Sequence, residues 1–233
     1  SGLSALLLAV FALTKKRKHI VTSPYIYGGS YHLVHLLRQR GVHITVVKNA
    51  LKLSSWKRTV TNETAFVLIE TPSNPSVDLF DIAAIAEIVH KKGAMLIVDS
   101  TIATPALQKP LQYGADAVLH SVTKYLIRQS SGLGGALVGS QKFIEKFGDE
   151  LFDWFVHAGL IMHPLSAWFA LQQSHTLERD MQTFSAYALQ VAETLERSKK
   201  VQKVYYPHLA GSPYSLLAKR QMPKGGSGLL AFE

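Results

Sequence analysis

The chain has 233 residues, 47% of them hydrophobic and 18% charged, enough for a sizeable core and contrary to the composition of a disordered chain. It contains no cysteine, which excludes a disulfide scaffold or a thiolate metal site, and its ten histidines show no HExxH or similar short-spaced pair, so no metal is predicted. The net charge of +9 invites a nucleic-acid reading, but no base-stacking motif, helix-turn-helix or zinc finger accompanies it, and steering of an anionic substrate ranks higher.

In chain order, SGLSALLLAVFALT reads as an apolar helix near residues 2–14. Its run of about 13 apolar residues is shorter than the roughly 20 that cross a bilayer, and it lacks the positive flank of a signal peptide. No membrane partner is predicted, and a cytoplasmic protein is expected. Lys15, Lys16, Arg17 and Lys18 follow, where cations face the negative end of the helix dipole. Short β-branched runs then alternate with helical stretches. The predicted strands are 19–23, 42–47, 64–70, 94–100, 115–121 and 135–140, and the predicted helices lie near 29–40, 79–92 and 141–156. This is the pattern of βαβ units and a mostly parallel, doubly wound α/β sheet.

From Pro164 to about Lys199 the pattern predicts one long helix leading out of a first domain. VQKVYYPHL and GGSGLLAFE read as opening strands of a smaller α+β domain, so the expected division is 1–172 for the large domain and 173–233 for the connecting helix and the start of the second. The chain lacks an initiating methionine and stops within a predicted strand; it is expected to be the middle of a longer protein.

In an open α/β sheet, ligands bind beyond the carboxyl ends of the strands. Glu70 and Asn74 follow one strand, Asp99 ends the next, and Ser121, Thr123 and Lys124 follow the one after. The crossover between parallel strands brings Asp99 and Lys124 to one sheet edge. An amine at the edge of an apolar sheet has its charged form disfavoured and is freed to attack a carbonyl. A carboxylate such as Asp99 would hold an aromatic ring nitrogen protonated and so make the ring an electron sink. Pyridoxal 5'-phosphate has that aldehyde, that nitrogen and a phosphate. The start of the first helix, at Ser1-Gly2-Leu3, offers bare N–H groups to an anion, and Ser121 and Thr123 add hydroxyls. Singly, each of these features is ordinary capping or turn chemistry; their joint placement on one edge carries the reading. Glu70 reads as structural and His120 as a satisfied core histidine.

Together, Ser1-Gly2, YGGSY (27–31), ETPSNP (70–75), DSTIATP (99–105), GADAVLHSVTKY (114–125) and TLERDM (176–181) resemble the transsulfuration enzymes of cysteine and methionine metabolism. The resemblance spans nearly the whole chain and implies the aspartate-aminotransferase-like fold (fold type I) and pyridoxal phosphate as cofactor. It implies that Lys124 forms the internal aldimine and then moves the α- and β-protons of the substrate, and that Asp99 pairs with the pyridine nitrogen. It further implies that Tyr27 stacks on the ring and exchanges a proton with the amine or leaving group, that Asn74 lies near the ring hydroxyl, and that Thr101 lies on the opposite ring face. Gly2, Leu3, Ser121 and Thr123 would hold the phosphate. A homo-oligomer, a dimer of dimers, is implied too, with a tyrosine and an arginine for the phosphate from the neighbouring subunit and a substrate-carboxylate arginine from a region after Glu233.

The chain departs from the family pattern after the lysine. Arg128, Gln129 and Ser131 stand where the family has a glycine-histidine-serine-aspartate segment, which leaves a non-catalytic binding or assembly protein open. Gly29 replaces the cysteine of methionine γ-lyases, ETPSNP is more typical of the cystathionine γ-synthase and γ-lyase branch, and Ser100 leans towards the synthases. The expected reaction is γ-replacement on an O-acylated homoserine by cysteine, with γ-elimination of cystathionine as the alternative.

Overall fold

The structure, a computed structural model, describes residues 1–128 and 131–233. Its six-stranded sheet comprises β1 (His19–Thr22), β2 (His43–Val46), β3 (Thr64–Glu70), β4 (Met95–Asp99), β5 (Ala117–Ser121) and β6 (Gly135–Gly139), in the order β2-β1-β3-β4-β5-β6. All neighbours are parallel except β6, which runs antiparallel to β5. Parallel strands covered on both faces need apolar side chains at every position, and every residue of β3 is buried. Alternate residues feed two cores. Ile20, Phe66, Leu68, Ile97 and Leu119 meet Leu6 and Val10 on one face, while Val21, Val67, Ile69, Leu96 and Val98 meet Trp56, Ile85 and Val89 on the other. Each such side chain contributes about 1.5–3 kcal/mol by burial.

The first face is covered by α1 (Gly2–Leu13), α2 (Gly28–Leu36) and α6 (Gln141–His157), the second by α3 (Leu53–Thr59) and α4 (Ile82–His90). The segment near 29–40 is helical as expected, but its last turn, Leu37–Arg40, is a 3₁₀ turn closed by Gly41 at φ 80°. The helix near 79–92 starts later than expected, because the Asp81 side chain accepts the Ala84 N–H and sets the N-cap there. Short helical turns at α5 (Thr104–Leu107) and Pro110–Tyr113, and the short helix α3, are additions to the expected elements.

The basic run lies beyond α1, which ends at Leu13, so the dipole account of it does not hold. Arg17 instead donates to the carbonyls of Thr64 and Gly93, and Lys15 pairs with Glu150. The long helix expected from Pro164 is two helices, α7 (Pro164–Ser174) and α8 (Leu177–Glu196). Thr176 N–H folds back to Gln173 O at the break, and Glu178 and Asp180 in the first turn of α8 favour a helix start there through the dipole. The two strand-like segments near the end pair with each other: β7 (Val204–Tyr205) runs antiparallel to β8 (Ala231–Phe232), with α9 (Ser215–Gln221) between them. No helix among the described residues is long and apolar enough to cross a membrane.

Candidate active site

A cavity of about 990 Å³ opens at the carboxyl ends of β3, β4 and β5 and is closed on one side by the start of α1. Gly2, Leu3, Tyr27, Asn74, Asp99, Thr101, Ser121, Thr123 and Lys124 all line it, so the residues expected to hold the cofactor arrive in one place.

Parallel pairing produces this convergence. Glu70 and Asp99 are register partners at the ends of β3 and β4, and β5 runs parallel beside β4, Asp99 facing Leu119. After Ser121 the chain turns tightly, with Lys124 N–H donating to Ser121 O and Arg128 N–H to Lys124 O. Lys124 thereby projects from the turn and is exposed, not desolvated as its place at a sheet edge had suggested.

Asp99 is 8% exposed. Its Oδ1 accepts the Thr101 N–H at 3.0 Å and the Thr101 hydroxyl at 2.5 Å, while Oδ2 has no partner and the carboxylate no cation among the described residues. Burial pushes its pKa up, and the Thr101 hydroxyl and N–H oppose the shift. The same Thr101 Oγ1 accepts the Ser121 N–H at 2.8 Å, tying β4 to β5 at the site.

At the α1 end, Ser1 Oγ accepts the Ser4 N–H, while the Gly2 and Leu3 N–H groups have no partner among the described residues. A Cβ on Gly2 would lie 2.8 Å from Ser121 Cβ, so only glycine lets the helix start approach β5 this closely. Ser121 Oγ is without a partner in the described chain, whereas Thr123 Oγ1 already donates to Gly134 O and accepts its N–H, fastening the ends of the following loop.

Tyr27 precedes α2 with its ring half exposed on the cavity, and its N–H donates to Glu70 Oε2 at 2.5 Å. A Cβ on Gly29 would lie 2.5 Å from Tyr27 Cε1, so the missing side chain gives the ring its space. His120 is buried and outside the cavity; burial lowers its pKa to about 4, and its Nδ1 lacks the partner a satisfied core histidine would have.

Sequence reasoning missed the opposite wall, where Arg128, Gln173, Thr176, Asp180 and Phe184 line the same cavity. Arg128 donates to Asp180, Thr176 Oγ1 and Gln173 O across the α7–α8 break. The acidic first turn in TLERD was a usable signal for that break. Of the altered loop, Gln129 and Ser130 lie outside the described residues.

These groups fit pyridoxal phosphate. A buried carboxylate with an open oxygen and no cation suits a protonated ring nitrogen. Two free N–H groups at the start of a long helix, with a free hydroxyl beside them, suit a phosphate. An exposed lysine on the same wall suits an aldehyde.

The family model described as Cys/Met metabolism PLP-dependent enzyme matches residues 1–233. An O-succinylhomoserine sulfhydrylase of Pseudomonas aeruginosa is 38% identical over the whole chain, which covers 57% of that protein. A cystathionine β-lyase of Lactococcus lactis is 36% identical, again over the whole chain and 60% of the relative. The crystal structure of a cystathionine γ-synthase from Xanthomonas oryzae pv. oryzae in complex with aminoacrylate and cysteine superposes with a TM-score of 0.92 at 34% identity, over the whole chain and 59% of that structure. The chain thus spans about three-fifths of the length of the relatives it matches. With sequence, fold and cavity in agreement, the chain belongs to the family of pyridoxal-phosphate-dependent enzymes of cysteine and methionine metabolism.

Proposed function

We propose that the protein replaces the γ-substituent of a homoserine-type amino acid, with an O-acylated homoserine as substrate and cysteine as the incoming thiol. The observation that supports this best is the single cavity onto which Lys124, Asp99, Tyr27 and the free N–H groups of α1 all open. When bound, pyridoxal phosphate supplies a sink for the electrons of carbanions at Cα and Cβ. The chain's own groups then have separable tasks. Gly2 and Leu3 N–H groups and the Ser121 hydroxyl hold the phosphate, with Thr123 beside them. Asp99 would keep the proton on the ring nitrogen, and Thr101, which would lie beside the ring, orients that carboxylate through the bond to Oδ1. Lys124 Nζ would hold the cofactor through its aldehyde and would serve as the base for the protons at Cα and Cβ. Tyr27 would lie against the ring and exchange a proton with the amine or the leaving group, and Asn74 would be near the ring hydroxyl. We also read residues 1–172 as the cofactor-binding domain, residues 173–233 as the start of another, and the protein as a cytoplasmic homo-oligomer whose site is completed by a neighbouring subunit.

The relatives favour a second reading for the nucleophile. Identity to the sulfhydrylase supports replacement by a sulfur donor other than cysteine, and identity to the β-lyase supports elimination from cystathionine. Incubation with O-succinyl- or O-acetylhomoserine plus cysteine should yield cystathionine and the free acid. Homocysteine formed only with sulfide would move the assignment to a sulfhydrylase, and release of a thiol amino acid from cystathionine alone would move it to a lyase.

A further inference from the structure

Glu70 has no place in the chemistry above, yet it sits at the centre of the residues that perform it. It ends β3, is 3% exposed, lines the cavity, and is the register partner of Asp99. Its carboxyl receives the backbone N–H of Tyr27 at 2.5 Å. Tyr27 is the N-cap residue of α2, and its own side chain makes no capping hydrogen bond among the described residues. The bond from its N–H to Glu70 ties the start of α2 to the end of β3.

We infer that Glu70 is a positioning residue, whose carboxyl fixes the backbone at Tyr27 and through it the aim of the Tyr27 ring across the cavity. The inference rests on reading the cavity as the pyridoxal phosphate site, and it adds a residue to which the proposed chemistry gives no task. Burial, and then the charge of Asp99, raise the Glu70 pKa. Both effects favour the neutral form of the Glu70 carboxyl. A neutral acceptor is then sufficient, and glutamine supplies one of nearly the same shape.

The test compares Glu70→Ala, Glu70→Gln and Tyr27→Ala in the holoenzyme and in the cofactor-free protein. In the cofactor-free protein, Glu70→Ala should speed hydrogen exchange of the Tyr27 amide by about tenfold, the worth of one lost hydrogen bond, whereas Glu70→Gln should leave it within about threefold. In the holoenzyme, Glu70→Ala should weaken the visible circular dichroism of the bound cofactor and lower kcat by about 30-fold through misplacement of the ring contact, and Glu70→Gln should restore both. In a Tyr27→Ala background the added Glu70→Ala change should cost less than about threefold, because the two act through one ring. Equal damage from Gln and Ala, an unchanged Tyr27 amide, or a full additional loss in the Tyr27→Ala background would each overturn the inference. Should Glu70→Ala fail to fold, Glu70→Asp draws the acceptor back by one methylene and is expected to give the same exchange and dichroism changes. If Lys124→Ala were to keep the cofactor band, the reading of the cavity would fail, while Tyr27 amide exchange would still judge the Glu70 bond on its own.

Discussion

The two walls of the cavity are built on opposite electrostatic plans. On the sheet wall, Glu70 and Asp99 lie side by side, almost fully buried, with no cation against either among the described residues. On the helical wall, Arg128 meets Asp180, Thr176 and Gln173, and the Thr176 hydroxyl and then the Arg128 guanidinium leave the Asp180 carboxyl well satisfied, its pKa lowered to about 2 against the opposing effect of burial. Buried charge without a partner is costly and persists where a ligand completes it, whereas a paired charge closes a structure. On the proposed function, the sheet wall is thus the one that would meet a cationic ring nitrogen and perform the chemistry, while the paired groups of the helical wall hold the cavity's shape.

Substitutions on the sheet wall should therefore cost the most activity. Lys124→Ala should abolish the visible band of the bound cofactor, along with its loss on borohydride reduction, and lower turnover by about 10³-fold or more, within the range for a lost nucleophile or general base. A retained band would contradict the assignment, and a wild-type protein without any such band would favour a non-catalytic member of the family.

Asp99→Asn should follow, with turnover lowered by about 10²-fold, as when one preorganised electrostatic partner is removed. Its stability effect has the opposite sign. The folded-state pKa of Asp99 is raised above its ordinary 3.8, so the folded protein binds more protons than the unfolded chain and loses stability as pH rises through that interval. In the cofactor-free protein, thermal midpoints of Asp99→Asn should therefore gain on wild type as pH is raised above about 4. A midpoint difference that does not change with pH would show that Asp99 is not burdened by its burial.

The sheet wall was legible in the sequence because a parallel ladder converts local pattern into position. A run such as residues 64–70, apolar from Ala65 to Ile69, reads as a central strand, and the end of a central strand is a ligand edge, so Asp99, Ser121 and Lys124 could be placed from the sequence alone. Glu70 followed the same rule but was read as structural, since its bond is to a backbone N–H 43 residues away and leaves no mark in the residue pattern. The exposure of Lys124 was missed because burial was judged from the strand before it, while the turn after Ser121 carries the lysine outwards. The helical wall depends on contacts 45 to 52 residues apart, made by a residue whose φ of 53° no local motif foretells. Arg128 looked like a lost family residue and is the centre of that wall.

The smallest expected effect lies there and tests the comparison from the other side. Arg128→Gln and Asp180→Asn should each lower the thermal midpoint by several degrees and leave turnover within about fivefold of wild type, as for a largely buried ion pair that loses one partner. The double variant should lose less than the sum, since either change alone breaks the same contact. Thr176 is the larger cause of the Asp180 shift and Arg128 the next, so Asp180→Asn should cost more than Arg128→Gln. Because the folded-state pKa of Asp180 is depressed, the contribution of the pair is present above its ordinary 3.8 and lost as pH falls towards about 2. The gap between wild type and Asp180→Asn should accordingly close on acidification below about 4, after Asp99→Asn has already lost its advantage. If Arg128→Gln instead cost as much turnover as Asp99→Asn while leaving the midpoint unmoved, Arg128 would be contacting the substrate, and the division of the cavity into a chemical wall and a structural one would fall.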